Sequence, residues 1–390
     1  MNAKLIKLIF STASIERWND LPRPFKFVEL DKQAHRMIIA YIIAHYEKDV
    51  DFVKLINFSI AGLLYRAILT DLKSPVYYYL RKKKGKEVDE FVLRNLRGVI
   101  DEELEYHVKL YNNTDSIEKR ILSAASYISS KWEFDFIYNF AKNSYGIEDI
   151  KKNLENELED YYDLEGVRIL SLKRKTYDFI SLCGNMRFQK RWANTPRIPQ
   201  TSVLGHMLFV AIMSFFLTKE YGGNKDKIYY NFFTGLFHDL PEALTRDIIT
   251  PVKQGVAGLD KILKEYENML IEEKILPLVP KKLQQELKML ITDEFANKII
   301  TNNGYKTVDT AEDLFENKGI DGKLIKIADH LGAFIEALMS VKHGIKSVEL
   351  ENAVKNLSKK YQNKKIFGID VEKYFQKEFY EKDNFHSHIN

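Results

Sequence analysis

The sequence predicts an all-α protein built from two helical domains in tandem, and three observations support this expectation. Apolar residues recur at intervals of three and four in most windows, for example at Leu55, Phe58 and Ile60, which is the period of an amphipathic helix. The alternation typical of strands is scarce, and only 9 prolines and 18 glycines interrupt the 390 residues. That length exceeds what one ordinary core fills, so two domains are the default.

Composition is that of a folded globular protein and excludes several classes. Hydrophobic residues make up 45% and charged residues 29% of the chain, which is ordinary for globular domains. A formal net charge of +4 is small for this length and argues against dedicated nucleic-acid binding. Cys183 is the single cysteine, so no internal disulfide can form, as is usual in a reducing compartment. The N-terminus lacks the pattern of a secretory signal, so we expect a cytoplasmic protein.

The two domains are expected to meet near Gly166, which gives domains over 1–165 and 166–390. The segment 147–166 is strongly charged, as expected of an exposed helix or a connector. The longest apolar stretch surrounds His206 and ends at Thr218. It is too short for a membrane span and is interpreted as a buried central helix, so no membrane partner is expected.

Four polar side chains in apolar, helix-like surroundings form a candidate metal site. They are two histidines and two aspartates: His206, His238, Asp239 and Asp329. Imidazole and carboxylate ligands suit a borderline divalent metal, and four of them leave open coordination positions for catalysis. Burying a carboxylate without a partner is costly, and a metal removes that cost. The pattern predicts one divalent transition metal ion and leaves its identity open among Co, Mn, Fe, Ni and Zn.

Two further acids follow the His-Asp pair. Glu242 lies four residues after His238, so on one continuous helix it would share the face of the ligands. From there it could orient water or exchange a proton with a leaving group. Asp247 lies beyond that helix, near the turn at Thr250-Pro251, and is a candidate for the same work from the other side.

The pattern H…HD…D resembles the HD superfamily of metal-dependent phosphohydrolases, and within it the YfbR-like 5'-deoxynucleotidases. Those enzymes have an Arg-Trp pair upstream of the first histidine, here Arg191-Trp192, and a motif similar to HDxxExxTxDxxTPVK, here at 238–253. The likeness covers roughly residues 180–340. Gly205 is a departure, because the family usually has a glutamate before the first histidine.

The resemblance implies a role for each matching residue. The metal ligands would be His206, His238, Asp239 and Asp329. Glu242 would be the acid/base residue, and Asp247 would contact the phosphate-side water or the sugar. Arg191 would contact the phosphate, Trp192 would wall the deoxyribose, and Lys253 would join them in binding substrate.

An internal repeat supports two domains. DKQAHRMIIAYIIAHYE resembles SVLGHMLFVAIMSFFLT, which places His35 opposite His206. The other matches follow in the same order: GLLYR opposite GLFHD, AILTDLKSPV opposite ALTRDIITPV, and ILSAASYISSKWEF opposite LIKIADHLGAFIEA. The first domain is therefore interpreted as a degenerate HD copy, and chance likeness of helical segments is the alternative.

The differences between the copies fall on the candidate ligands. Three positions change in type: Tyr65 for His238, Arg66 for Asp239 and Ser126 for Asp329. The first copy keeps His35 alone and is predicted to lack the metal ligands. Arg66 is expected to pair with Asp71, the alternative being that it binds an effector phosphate.

The expected reaction is removal of the 5'-phosphate of a (deoxy)nucleoside monophosphate by a metal-activated water. Two alternatives stay open. One is a nucleotide-responsive regulatory or scaffold protein with a vestigial metal site, and the other is a phosphohydrolase acting on a phosphodiester or a non-nucleotide phosphate. The expected partner is a small phosphorylated molecule, and a homo-oligomer is compatible with the sequence.

Overall fold

The computed structural model describes residues 1–70, 72–246, 258–301, 304–309 and 317–381. These residues are mostly helical, which confirms the coarse prediction. They divide into two compact units. The first comprises Met1–Arg168 together with the chain from Gln376 onward, and the second comprises Ile169–Phe375.

The first unit is built around two long helices that lie in its core. Its described elements are α1 (Ala3–Ser11), β1 (Glu16–Arg17), β2 (Phe27–Val28), α2 (Glu29–Ala44), α3 (Phe52–Leu69), α4 (Ser74–Leu96), α5 (Glu102–Tyr111), α6 (Ile117–Tyr138) and α7 (Ile147–Glu159). Every residue of α2 is buried, and α2 packs along α6. The charged helix α7 also packs on α6 through Ile147.

The second unit is built around α10. Its described elements, after α8 (Glu165–Ser171) at the division, are α9 (Lys175–Asn185), α10 (Val203–Glu220), α11 (Lys225–Phe237), α12 (Glu242–Thr245), α13 (Leu259–Leu270), α14 (Lys281–Ile291), β3 (Lys298–Thr301), β4 (Gly304–Thr307), β5 (Gly319–Ile320), α15 (Gly322–Lys342), α16 (Val348–Tyr361), β6 (Lys365–Ile366) and β7 (Ile369–Asp370). The Ser202 hydroxyl caps α10 by accepting from the Gly205 amide at 2.9 Å. The helix then packs against α11 and α15.

The apolar helix α10 is a core helix, as its sequence predicts. It has 18 residues, and all but the last two are buried. Among the described helices, α3 and α10 are long and apolar enough to cross a membrane by length and composition alone, yet 67% and 89% of those stretches are buried inside the protein. Such a helix needs an apolar surface on every side, and the surrounding helices supply it.

The short strands are a correction to the expectation of an all-α fold. The largest sheet has the order β4-β3-β5, with Ile300 opposite Tyr305 and Lys298 opposite Ile320. Ile299, Ile300 and Thr301 are β-branched, which favours an extended backbone. The segment is too short for the alternation that identifies a strand from sequence alone.

Candidate metal centre

The structure brings three of the four predicted ligands together from three helices. His206 lies in the first turn of α10, His238 caps the C-terminus of α11, and Asp329 lies on α15. One ligand atom from each lies within 4.8 Å of the others, and this is the one such cluster among the described residues. Asp239, the fourth predicted ligand, has its Oδ2 3.2 Å from His238 Nε2. Residues far apart in sequence therefore converge on one point.

The hydrogen bonds of His238 show why this point attracts a cation. Its Nδ1 lies 2.8 Å from the Gly235 carbonyl oxygen, which can only accept, so Nδ1 carries the hydrogen. In the neutral ring Nε2 is then a lone pair that faces a carboxylate oxygen of Asp239. Two acceptors at this distance need a positive charge between them, which either a proton on Nε2 or a bound metal ion can supply. The donor set therefore fits a divalent metal.

The electrostatics of the cluster follow the same logic. Burial works against a charged His238, but the carboxylates of Asp239 and Asp329 raise the pKa of this imidazole. Burial and the nearby Arg191 lower the pKa of His206, although Asp329 Oδ1 lies 3.1 Å from its Nε2. Burial would raise the pKa of Asp329, yet its contacts with His206 and Lys326 hold that pKa well below its usual range. Both aspartates are thus ionised and ready to bind a cation.

A close approach fixes the His206 ring. A Cβ on Gly332 would lie 2.7 Å from Cε1 and 2.9 Å from Nδ1 of His206. The imidazole can lie flat against α15, beside Asp329, only because position 332 has no side chain. The His206 side chain is fully buried beneath the cavity described below.

Glu242 reaches the site by a different route from the one predicted. The sequence suggested one helix through His238 and Glu242, but α11 ends at Phe237 and Glu242 begins the separate four-residue α12. Pro241 has no amide hydrogen and disfavours a helical residue before it, so the helix cannot continue. The Glu242 amide instead donates to the Asp239 carbonyl at 3.0 Å. This tight turn still places Glu242 on the cavity wall beside His238 and Asp239.

Arg191 and Trp192 are held by a carboxylate that sequence reasoning did not single out. Glu336 on α15 is buried and accepts from Arg191 Nε at 3.3 Å and Trp192 Nε1 at 2.9 Å. Its other oxygen accepts from Thr201 Oγ1 at 2.6 Å and lies 3.8 Å from His206 Nδ1. Burial alone would raise the pKa of Glu336, but the nearby arginines lower it to about 2. Glu336 thus links the Arg-Trp pair to a metal ligand.

The signal for Glu336 was present in the sequence as an acid in an otherwise apolar helix. It follows Asp329 by two helical turns and therefore lies on the same face of α15. Lys326 was also missed. Its Nζ is 2.9 Å from Asp329 Oδ2 and 3.8 Å from the centre of the Phe295 ring.

The cluster opens onto a cavity of about 730 Å³. One wall carries Arg191, Trp192, His238, Asp239, Glu242 and Asp329. The facing wall comes from α13 and from the segment before β3, including Lys264, Asn268 and Phe295. Burial raises the pKa of Glu294, which also lines the cavity. The charged helical segment after the His-Asp motif therefore forms a substrate-side wall.

Two predicted site residues, Asp247 and Lys253, lie outside the described residues. Arg191 is placed beside the cluster, with Nη1 3.6 Å from Asp239 Oδ2. Trp192 lines the cavity and has a left-handed backbone, with φ of 55°. Within the described chain, all the other predicted site residues belong to this one region.

Comparison with known proteins gives a consistent result. A family model described as "HD domain" matches residues 183–365. The chain is 25% identical over 210 residues to a 5'-deoxynucleotidase of Photobacterium profundum, covering 53% of this chain and 94% of that protein. It is 29% identical over 126 residues to the 5'-deoxynucleotidase YfbR of Escherichia coli O127:H6, covering 31% of this chain and 62% of that protein.

Among solved structures, an HD-domain phosphohydrolase from Listeria innocua is similar, with a TM-score of 0.39, 18% identity, and coverage of 53% of this chain and 92% of that one. The family model matches the region that holds the candidate metal cluster, the His-Asp pair and the Arg-Trp pair. Residues 183–365 therefore carry an HD domain, and the comparisons support a phosphohydrolase of the HD superfamily that is similar to the YfbR-like 5'-deoxynucleotidases.

Proposed function

We propose that the second unit removes the 5'-phosphate of a (deoxy)nucleoside monophosphate in a metal-dependent reaction. The observation that carries this proposal is that the metal cluster, the Arg191 guanidinium and the Trp192 indole meet at one cavity. A phosphate group needs a cation and forked donors, and a sugar needs an adjoining flat wall. The cavity volume is in the range of small-molecule sites.

Four residues would hold one divalent metal ion: His206, His238, Asp239 and Asp329. Such an ion polarises a phosphoryl oxygen and lowers the pKa of a water molecule. Arg191 would bind the phosphate, because its guanidinium lies between Asp239 and Glu336 at the edge of the cluster. Glu336 would keep this guanidinium in place as the substrate enters.

Glu242 would move the proton. The attacking water forms a bond to phosphorus while the bond from phosphorus to the 5'-oxygen breaks. Glu242 would take the proton that the water loses and return it to the 5'-oxygen, so that a neutral nucleoside leaves. Its position beside Asp239 on the cavity wall supports this role. Asp247 and Lys253 remain proposed as further substrate contacts.

Trp192 would wall the deoxyribose. Its indole N–H is bonded to Glu336, so the ring cannot rotate freely, and the backbone turn at Trp192 presents it to the cavity. A rigid wall close to the sugar can discriminate a 2'-hydroxyl from a hydrogen by steric fit. The proposal therefore includes a preference for deoxy substrates.

The test is phosphate release from a panel of 5'-deoxyribonucleoside and 5'-ribonucleoside monophosphates, a phosphodiester and sugar phosphates. Metal-stripped protein receives Co, Mn, Ni, Zn or Mg one at a time. The variant His238→Ala should be inactive, and the matched control His343→Ala, at an exposed histidine of the same unit, should keep full activity.

Metal-dependent release that favours deoxynucleoside monophosphates is the expected result. Turnover of the phosphodiester or the sugar phosphates alone would contradict the nucleotidase assignment and favour another phosphoester. Metal and nucleotide binding with no turnover of any substrate would favour the regulatory alternative. Equal activity of His238→Ala and wild type would show that the cluster is not the active site.

A further inference from the structure

The same local structure precedes the central helix of each unit, α2 in the first and α10 in the second. The pattern RWxxxPR occurs at 17–23 and again at 191–197. Both tryptophans have a left-handed backbone, with φ of 56° at Trp18 and 55° at Trp192. Each carbonyl accepts from the amide three residues later, at 3.1 Å from Leu21 and 2.8 Å from Thr195. Non-glycine residues with positive φ are uncommon, so matching ones in matching sequences indicate a shared ancestry.

The backbone pairing then sets the register of the next helix. Glu16 pairs with Val28 before α2, and Lys190 pairs with Ser202 before α10. The same number of residues separates the arginine of the pair from the first residue of the helix in both units. Lys32 and His206 are therefore both the fourth residue of their helices. This register makes Lys32, and not His35, the counterpart of His206, one helical turn from the pairing that apolar similarity suggested.

The side-chain contacts agree with this register. Lys32 Nζ donates to Ser126 Oγ at 2.6 Å, where His206 Nε2 lies 3.1 Å from Asp329 Oδ1. Ser126 is the position that the sequence repeat places opposite Asp329. His35 instead contacts Ser129 Oγ at 3.4 Å.

A second contact repeats two helical turns further along. Glu133 accepts from Arg17 Nε at 3.0 Å and Trp18 Nε1 at 2.8 Å. Glu336 makes the same pair of bonds to Arg191 and Trp192. Glu133 follows Ser126 by the same interval as Glu336 follows Asp329. The carboxylate that holds the Arg-Trp pair is thus common to both units, although the metal ligands are not.

The charge at one of the ligand positions is inverted in the first unit. Arg66 stands at the position of Asp239, and its Nε lies 3.5 Å from Glu29 Oε1, whereas Asp71, its predicted partner, lies outside the described residues. Glu29 is fully buried and also bonds Arg17 Nη1 at 3.0 Å. A cationic side chain thus lies where the second unit has the Asp239 carboxylate, and Glu29 at the start of α2 pairs with it.

The first unit also has no candidate metal ligand at the position that corresponds to His238. Tyr65 stands there, and its hydroxyl donates to Asp89 Oδ1 at 2.6 Å. The phenol is buried, and burial together with this carboxylate raises its pKa well above the ordinary range. A phenol that stays protonated and donates its hydrogen to a carboxylate has no free anionic oxygen for a metal ion.

We propose that the first unit is a second HD-type domain in which the Lys32 side chain takes the place of the metal ion and its first histidine ligand, so that the chain binds a single metal ion, in the second unit. The number of metal ions in this inference rests on the metal site of the proposed function. Among the described residues of the first unit there is no cluster of histidine, cysteine and acidic groups that could hold an ion. Its buried acids Glu29 and Glu133 both pair with Arg17, at 3.0 Å.

The first test is the number of Co²⁺ ions bound by the metal-stripped, full-length chain, measured by calorimetric titration. We expect one per chain in the wild type and none in His238→Ala. Two per chain, or one that persists in His238→Ala, would overturn the inference and leave the proposed nucleotidase function standing. No uptake at all would contradict both the single-metal clause and the metal in the proposed function, and the role of Lys32 would then be decided by the second test.

The second test compares Lys32→Met with Lys54→Met. Both variants remove a lysine of the first unit. The Lys54 side chain is 32% exposed and pairs with Glu118, whereas Lys32 is buried. Lys32→Met should lower the melting temperature by on the order of 5 °C, because it leaves the Ser126 hydroxyl without its bond from Lys32, with the change equal in the presence and absence of Co²⁺. Equal melting temperatures for the two variants would overturn the inference. If Lys32→Met fails to fold while Lys54→Met folds, that difference supports it.

Discussion

The fourth residue of α10 is His206 and the fourth residue of α2 is Lys32, and the two units differ from that point outward. In the second unit His206 contacts Asp329, and Asp239 lies near Arg191. In the first unit Lys32 contacts Ser126, and Arg66 and Arg17 share Glu29. The second unit thus has a histidine and aspartate cluster that is proposed to bind a metal ion, whereas the first unit has basic side chains at two of the same positions.

The difference teaches which part of the network serves the fold and which part serves chemistry. The bonds from a buried glutamate to an arginine and a tryptophan occur in both units, so they do not depend on a metal. The histidine and aspartate ligands occur in one unit alone among the described residues. Substitutions at paired positions can therefore separate the two roles.

The largest effect is expected from replacing the residue that contacts the fourth residue of α10, compared with the residue that contacts the fourth residue of α2. Asp329→Ala should lose the metal and all turnover above background, because it removes a ligand and leaves His206 without its partner. Ser126→Ala, at the corresponding position, should keep both. The measurements are Co²⁺ uptake and phosphate release. Full turnover in Asp329→Ala would remove the distinction between the units.

Glu242 has no counterpart in the sequence repeat, because Arg66 and Ala67 are adjacent whereas the matching Asp239 and Ala243 are separated by three residues. Glu242→Gln should keep the metal while turnover falls by roughly 10²–10⁴-fold, the usual contribution of a positioned acid or base. Metal content and single-turnover rates check this together. Loss of the metal along with turnover would show that Glu242 is a ligand.

The shared glutamates give a matched pair with a smaller expected effect. Glu336→Gln should lower kcat/KM by about 10–100-fold, as outer partners of metal sites do, and most of the change should appear in KM because Arg191 and Trp192 lose their fixed orientation. Glu133→Gln should leave kcat/KM unchanged and affect thermal stability alone. A purely structural role for Glu336 predicts equal stability losses in both variants with an unchanged KM.

A further effect is expected on acid stability. Burial opposes ionisation of Glu29, but Arg17 and Arg66 lower its pKa to about 2, below the ordinary value of 4.5. Because the folded-state pKa is the lower one, Glu29 contributes stability above pH 4.5 that is lost as the pH falls toward 2. The contribution is on the order of 3 kcal/mol. Urea unfolding of Glu29→Gln from pH 7 to pH 3 should show a weaker pH dependence than wild type, and an unchanged slope would contradict this origin.

Much of the second unit could be predicted from sequence because its chemistry is concentrated in a few residues of unusual context. Histidine and aspartate side chains in apolar helices are costly to bury unless they bind a common cation. That argument identified the candidate metal cluster. The buried helix around His206 was equally clear from its continuous apolar run. The end of the helix before Glu242 was missed because the spacing of His238, Asp239 and Glu242 suits one continuous helix, whereas Pro241 interrupts the helical backbone.

The register of the first unit could not be read from apolar periodicity. A shift of three residues moves a helix by nearly one turn and keeps its apolar face in place, so His35 and Lys32 match His206 about equally well by pattern. The RWxxxPR repeat would have resolved this, because it fixes the distance to the start of each helix. Glu336 needed the structure, since its partners Arg191 and Thr201 lie on other segments.

The absence of a side chain at Gly332 bears on whether the first unit could be given a metal site by substitution. Where Gly332 lets the His206 ring lie against α15, the first unit has Ser129, whose side chain contacts His35. A histidine introduced at Lys32 would meet that side chain before it reached Ser126. If the first unit is a degenerate HD copy, as we propose, restoring its four ligand positions would therefore also require glycine at position 129.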